Sequence, residues 1–261
     1  MGESDCGKLN EILSSALMSE HPVSAIEQLR ASRWFAEHLP EVDAMVGAAQ
    51  NSYHFGTVWE HTMAVLEKIA ARDLVLRLAA LMHDIGKKGV CSIDKNGVAH
   101  FYDHERMGAK MTKTILKQLG FSVDIVEETS FLVRRHMMMK GWGDDCANMK
   151  DKALRRVQYL CYDRERFEKL LLLVDADNRS HAEKYCMRQQ ISLVRIASQR
   201  LEKEGSDMFG FIMPLTTEEI LSRGIAECDV KRCKEYLLKL AFVDPHRDKM
   251  QWIKMLNGFK P

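Results

Sequence analysis

The sequence predicts an all-α protein, and three observations predict it. Only five prolines occur, at 22, 40, 214, 245 and 261, so positions 41 to 213 hold none; helix interiors are where proline is most strongly excluded. Apolar residues through that stretch recur at spacings of three and four, the period of a helix with one buried face. No run alternates apolar and polar residues over a useful strand length.

The elements follow in order. Residues 8–20 and 23–37 form two short amphipathic helices split by His21-Pro22. Leu39-Pro40 opens a new segment that leads to a polar loop, Gln50 to Gly56, carrying the rings of Tyr53 and His54. Such a loop is ordinary turn chemistry unless it lies beside a site, where it becomes a substrate contact. Thr57 to Arg72 is a helix with Trp59, Met63, Leu66 and Ile69–Ala70 on its apolar stripe; His61 sits near its start, off that stripe or at its edge. Asp73 caps a helix over 74–84 that ends in His83-Asp84. Gly86, Gly89, Asp94, Asn96 and Gly97 make a loop with a tight turn.

Asp103 caps the next helix and puts His104 in its first turn; Met107, Met111, Ile115, Leu116 and Leu119 give it a core face and Gly120 ends it. Ser122 caps a helix running to Arg134-Arg135-His136. Met137 to Met139 lead into a Gly-rich loop, where methionines fill irregular core gaps or line an adaptable pocket. Helices over 151–161 and 163–184 follow. The second carries Asp175 and Asp177 in an apolar run, and residues two apart point about 200° from each other, so one of them at most faces a given site. A long helix over 184–204 ends at Gly205, Ser206 to Pro214 reads as a linker, and helices over 216–223, 229–240 and 245–257 make a small appendage.

Composition narrows the function classes. The chain has 261 residues, 46% hydrophobic and 29% charged, with 38 basic and 37 acidic side chains for a net charge of +1. No global field draws it to nucleic acid or a membrane surface. No run approaches the ~20 apolar residues that span a bilayer, and the N-terminal MGESDCGKLN lacks a basic-then-apolar signal pattern. The seven cysteines, at 6, 91, 146, 161, 186, 228 and 233, are odd in number and form no CxxC pair. They read as free thiols of a cytoplasmic protein rather than as a disulfide frame or zinc knuckle.

The candidate chemistry begins at LAALMHDIGKK. Leu78, Ala79, Leu81 and Met82 want a core, and His83 and Asp84 follow them directly. A buried carboxylate without a partner costs several kcal/mol or more, so it finds a counter-charge or a metal. His61, His104, His136 and one of the late aspartates complete an ordered set, each near a helix end or on a helix interior where a polar residue is expensive. Singly each would be an ordinary hydrogen-bonded residue. Together, imidazole and carboxylate without cysteine suit Fe, Mn, Ni, Co or Zn and argue against structural zinc. Lys87 follows the pair closely enough to meet substrate phosphate.

The pattern His61 … His83-Asp84-Ile85-Gly86-Lys87 … Asp177 resembles the HD superfamily of metal-dependent phosphohydrolases, and His104 and His136 match the further histidines of its binuclear members. PEVDAMVGAAQNSYHFGTVWEHT, ALMHDIGK, HFYDHERMGAKM, LVRRHM, KALRRVQYL, DADNRSHA and PLTTEEILSRGI look like the HD-bearing half of bacterial CCA-adding enzymes (tRNA nucleotidyltransferases), from about residue 22 to 255. The resemblance implies an HD-domain helical bundle over 51–205, an N-terminal helical segment over 1–50 packed on it, and the C-terminal helical appendage over 206–261. Asp175-Ala176-Asp177 lies in a helix with no Gly-Ser turn before it, so it is not the paired-aspartate motif of the nucleotidyltransferase head, and CCA addition is not expected.

By the family pattern Asp177 is the late ligand. One or two divalent transition metal ions are implied: His61, His83, Asp84 and Asp177 hold one, and His104 and His136 hold a second with Asp84 bridging. The expected reaction is hydrolysis of phosphoester bonds of nucleotides or RNA ends, phosphomonoesters or 2′,3′-cyclic phosphates, by a metal-activated hydroxide. Asp84 and Lys87 are then catalytic, and Lys87, His54 and Arg135 bind substrate. Two other readings stand beside it, a tRNA- or RNA-binding module with a vestigial or structural metal site and a hydrolase of a nucleotide second messenger.

Overall fold

The structure, a computed structural model, describes residues 3–54 and 56–260. Helix dominates. The strands among the described residues are a two-residue pair, β1 (Ser92–Ile93) antiparallel to β2 (Ala99–His100). Asp94 makes that hairpin: its Oδ1 accepts from the backbone N–H of Asn96 at 2.8 Å and of Val98 at 3.0 Å. Among the described residues no helix is long and apolar enough to cross a membrane.

The chain divides into two compact units, one of residues 1–144 and 168–191, the other of 145–167 and 192–261. The division is not the linear one expected at 205/206, because two stretches of the middle of the chain group with the C-terminal residues.

The first unit opens with α1 (Glu3–Leu17), α2 (Pro22–Ala31), α3 (Trp34–His38) and α4 (Pro40–Asp43). The single helix expected over 23–37 is broken at Arg33, which takes a left-handed conformation with φ 65°. α5 (Val58–Lys68) starts on a full capping box, in which Thr57 accepts from Glu60 N and Glu60 accepts from Thr57 N. It stops short of Arg72 because Ile69 leaves helical geometry. α6 (Leu74–Met82) starts on Asp73, whose Oδ1 accepts from Leu76 N at 2.8 Å, and is buried from Leu76 to Met82. Arg77 is buried with them and donates to the carbonyls of Leu17 and Ser19 at the end of α1.

The short α7 (Lys87–Val90) leads into the hairpin, followed by α8 (His104–Gln118) and α9 (Val123–Arg135), which Ser122 caps. α8 and α9 pack against each other, and α9 packs on α6. Gly86 is required here. A Cβ on it would collide with the His104 carbonyl and come within 2.6 Å of Gly108 N, both backbone atoms. The loop after α6 therefore lies directly against the first turns of α8.

In the second unit α10 (Asp151–Cys161) carries Arg155 and Gln158. Arg155 is buried, and it donates to the carbonyls of Ser206, Phe242 and Val243. Gln158 accepts from Met208 N at 3.3 Å. The stretch read as a linker is thus held in place, with Ser206 and Met208 buried. α11 (Arg164–Asn178) and α12 (Gln190–Lys203) have residues in both units. α13 (Thr217–Leu221), α14 (Val230–Val243) and α15 (Lys249–Leu256) close around Trp252, Leu237 and Cys233, all fully buried.

Candidate metal centre

Five helix termini deliver the site, all in the first unit. His61 lies in the first turns of α5, His83 directly follows α6, His104 opens α8, His136 directly follows α9, and Asp177 precedes the last residue of α11. Each of the four histidines has the same arrangement. Nδ1 lies against a backbone carbonyl: Ser180 O for His61 at 3.2 Å, and Ala80 O, Phe101 O and Val133 O for His83, His104 and His136 at 2.8 Å each. Those partners accept only, so Nδ1 carries a proton and Nε2 is the atom turned inward. This is how proteins orient a histidine toward a metal.

Asp84 is the hub. Its Oδ2 lies 3.2 Å from His83 Nε2 and 3.7 Å from His61 Nε2. Its Oδ1 lies 3.3 Å from His104 Nε2 and 4.0 Å from His136 Nε2. Asp177 Oδ1 lies 3.1 Å from His61 Nε2. Two sets of donor atoms therefore share one space, His61–His83–Asp177 and Asp84–His104–His136, with the atoms of each set within 4.8 Å of one another. His54, His61 and Asp84 form a third such set.

The donors fit divalent transition metals. All six are buried. His83 Nε2 is buried with no hydrogen-bond partner, although Asp84 Oδ2 lies 3.2 Å away. His104 and His136 face each other through Nε2 atoms 3.2 Å apart while each Nδ1 is committed to a carbonyl. Two lone pairs do not meet at that distance without a cation or a proton between them. Nitrogen and carboxylate oxygen without thiolate suit Mn, Fe, Co, Ni or Zn.

Lysines balance the carboxylates. Lys87 Nζ is 2.6 Å from Asp84 Oδ2, and also donates to Gln50 Oε1 at 2.6 Å and approaches His54 Nε2 at 3.3 Å. Lys140 Nζ is 2.8 Å from Asp177 Oδ2, donates to Asn178 Oδ1 at 2.9 Å and approaches His181 Nε2 at 3.3 Å. The two clusters repeat one plan: a carboxylate, a lysine, an amide oxygen and a histidine. An antiparallel backbone bridge between His54 and His181 joins them.

Protonation follows from these contacts. Burial raises the carboxyl pKa of Asp84, but His83 and Lys87 outweigh it and hold the group well below the usual range. Lys140 and His61 do the same for Asp177 against its burial. Burial lowers the pKa of His83, yet Asp84 and Asp177 outweigh burial and raise it. Burial and the neighbouring His104 and His83 push His136 down to about 3. Burial and Lys87 push His54 down to about 2. Burial, with Lys140, pushes His181 down to about 4 against the pull of Asp177.

Of the residues singled out in the sequence, the structure brings together His54, His61, His83, Asp84, Lys87, His104, His136 and Asp177. Asp175 points elsewhere and pairs with Arg179 at 2.9 Å. Arg135 is not among the residues that line the cavity beside the cluster. One residue before His136 on α9, it is turned about 100° around the helix; it lines a separate cleft with Arg106 and Lys110, its guanidinium over the Phe131 ring. Arg134 is committed to Glu105 at 2.8 Å.

Sequence reasoning missed Lys140 and His181. His181 stands four residues after Asp177, a spacing that puts both on one helix face, but the expected helix over 163–184 hid the turn that follows Asn178. There the backbone leaves the helix and Ala182 N donates to Tyr53 O at 3.0 Å. The cluster borders a cavity of about 620 Å³.

An HD domain model matches residues 51–198. The chain is 32% identical over 154 residues to the CC-adding tRNA nucleotidyltransferase of Thermus thermophilus, covering 57% of this chain and 34% of that protein. It is 32% identical over 136 residues to the A-adding tRNA nucleotidyltransferase of Deinococcus radiodurans, covering 50% of this chain and 31% of that one. It is 28% identical over 169 residues to the Multifunctional CCA protein of an Azoarcus species, covering 63% and 39%. The chain thus spans roughly a third of the length of these relatives.

Proposed function

The chain belongs to the HD-domain family, and on that premise we propose that it is a metal-dependent hydrolase of phosphoester bonds in nucleotides or RNA ends, phosphomonoesters or 2′,3′-cyclic phosphates. The observation that carries the reading is the buried meeting of His61, His83, Asp84, His104, His136 and Asp177, with each histidine's Nδ1 fixed by a carbonyl and each carboxylate flanked by a lysine. These six side chains would hold one or two divalent transition metal ions, which would supply Lewis acidity toward the phosphoryl oxygens and lower the pKa of a bound water.

The chain's own residues do the rest. Asp84 lies between the two sets of donors, with Oδ2 toward His61 and His83 and Oδ1 toward His104 and His136. Lys87 and Lys140 bring positive charge to the mouth of the buried cluster, where the phosphoryl oxygens gain negative charge during the reaction. Gln50, His54, Asn178 and His181 hold the two ammonium groups in place. Both of these histidines stay neutral near pH 7, given values of about 2 and 4. They therefore accept from the lysines rather than repel them. Burial of the cluster keeps bulk water away and strengthens each of these interactions.

RNA ends enter the proposal because the relatives are named as tRNA nucleotidyltransferases. A pure RNA-binding role is less well supported. Arg155 is consumed internally by carbonyls, and phosphate contacts need accessible Lys and Arg. Exposed thiols at Cys91 and Cys228 accord with a cytoplasmic location.

The test is metal analysis of purified protein, followed by assays on nucleoside monophosphates and 2′,3′-cyclic phosphates with Mn, Fe, Co, Ni or Zn added back. His83→Ala and Asp84→Ala should remove both metal and turnover. Full activity in a metal-free preparation would sink the reading.

A further inference from the structure

The cavity beside the metal centre is larger than a phosphate needs. At about 620 Å³ it falls in the ~300–1,000 Å³ range of small-molecule sites. Asp84, His104 and His136 line one part of it, and Phe101, Tyr102 and Tyr53 line another. Tyr102 is 74% exposed, so burial does not account for it. It nonetheless has a stacking partner. Its ring lies parallel to that of His100, within 4° at a centroid distance of 5.4 Å.

His100 is itself anchored, its Nε2 lying 3.1 Å from Asp94 Oδ2, and Asp94 organises the turn between β1 and β2. The hairpin is tied to the centre through Asn51. Asn51 Nδ2 donates to Ala99 O at 3.5 Å, while its Oδ1 lies 3.1 Å from Nδ1 of His54, the histidine beside Lys87. One residue separates Tyr102 from His104. An exposed flat ring thus lines the same cavity as Asp84, His104 and His136.

We propose that Tyr102, braced by His100, is a nucleobase-stacking platform, and that the substrate is a nucleotide or an RNA terminus whose base lies on this ring while its phosphate enters the metal centre. The inference rests on the hydrolase reading for the phosphate, and on the hairpin geometry alone for the base. A stacked ring recognises the π-face that all bases share, so selectivity among bases is weak. A sugar phosphate without a base gains nothing from Tyr102.

The experiment compares wild type, Tyr102→Ala and Tyr102→Phe. With metal present, KM and kcat are measured for adenosine 2′,3′-cyclic phosphate and for glycerol phosphate. The alanine variant should raise KM for the nucleotide about tenfold, the scale of one lost base stack, with kcat unchanged. Tyr102→Phe should retain wild-type KM, and glycerol phosphate should be indifferent to both changes. In parallel, adenosine 5′-monophosphate binding to each protein is followed by calorimetry, which needs no turnover. Binding that weakens about tenfold in Tyr102→Ala supports the platform even if no phosphoester is cleaved, an outcome that would overturn only the hydrolase reading. Equal nucleotide affinity in wild type and Tyr102→Ala, equal loss on nucleotide and glycerol phosphate, or no nucleotide binding to wild type overturns the platform.

Discussion

His104 and His136 bring their Nε2 atoms to 3.2 Å of each other, from the start of one helix and the end of the next. Because each Nδ1 donates to the carbonyl three residues earlier, neither ring can turn its proton toward the other without giving up a buried hydrogen bond. The pair therefore needs a cation or a proton between its two nitrogens, and the proposed second metal ion would supply it. In the binuclear arrangement wild-type protein carries about two metal ions per chain, as two-metal hydrolytic sites do. His136→Ala should lower the count to about one, whereas Asp84→Ala should lower both occupancies. Elemental analysis of protein purified without chelator checks this, and an unchanged count in His136→Ala would refute the pair as ligands.

Lys87 is 3% exposed and 2.6 Å from Asp84. Removing one partner of a buried ion pair typically costs about 3–5 kcal/mol. Lys87→Met should therefore destabilise chelator-treated protein by that order. Added metal should restore much of the loss, since a divalent cation supplies the missing charge to Asp84. Thermal melts with and without metal measure the difference, and equal destabilisation in both conditions would count against it.

Metal-free protein should lose stability on acidification from pH 7 toward 5. His54, His136 and His181 titrate at about 2, 3 and 4 in the folded protein, against 6.5 in the unfolded chain. Above 6.5 all are neutral in both states. Below it the unfolded chain binds protons that the folded protein refuses, so stability falls as pH falls, by about 1–2 kcal/mol per histidine at pH 5. His83 has the opposite sign: its raised pKa contributes stability that is complete below 6.5 and is lost as pH rises through its folded value. Asp84 and Asp177, both lowered, add to the acid loss only as pH falls below 3.8. Denaturant midpoints at pH 7, 6 and 5 test the net slope, and a midpoint that rises on acidification would contradict it.

Gly86→Ala should separate the loop after α6 from α8. The new Cβ would meet two backbone atoms, His104 O and Gly108 N, neither able to swing aside. Overpacking of this kind costs about 1–3 kcal/mol or more. The displaced group is the first turn of α8, so loss of His104 from the site, and with it metal, should accompany the loss of stability. Urea unfolding and metal content together report the two effects.

Asp175→Asn and Asp177→Asn should part company. Asp175 pairs with partly exposed Arg179, so its loss should change stability by no more than about 0.5 kcal/mol and leave metal content intact. Asp177→Asn should lower metal content, because it leaves Lys140 opposite a neutral amide and takes the carboxylate from His61.

The all-α character was legible because the missing prolines and the 3–4 spacing are local properties. Asp73 and Ser122 likewise announced the starts of α6 and α9. The meeting of His61 with Asp177 was not readable from spacing, since the two stand 116 positions apart; the family resemblance supplied it. Lys140 and His181 escaped notice for a different reason. Their role depends on where α11 stops, and what stops it is the long-range pairing of residues 181–182 with Tyr53 and His54. Arg135 adjoins His136 in sequence, but on a helix that adjacency means a different direction in space. The stretch after Gly205 looked like a linker because its anchors, Arg155 and Gln158, lie some fifty positions earlier.

α6 runs nine residues, from a cap at Asp73 to His83. It therefore acts as a ruler. One residue inserted between the cap and His83 would rotate His83 and Asp84 by about 100° and advance them by ~1.5 Å, sending both away from the other donors although every side chain was still present. The β1–β2 turn bears no such constraint, since added residues there move no ligand. The protein should accordingly tolerate volume-conserving apolar substitutions along the buried α6 but no change in its length, and insertional scanning would draw the boundary of the candidate metal centre more sharply than point mutation.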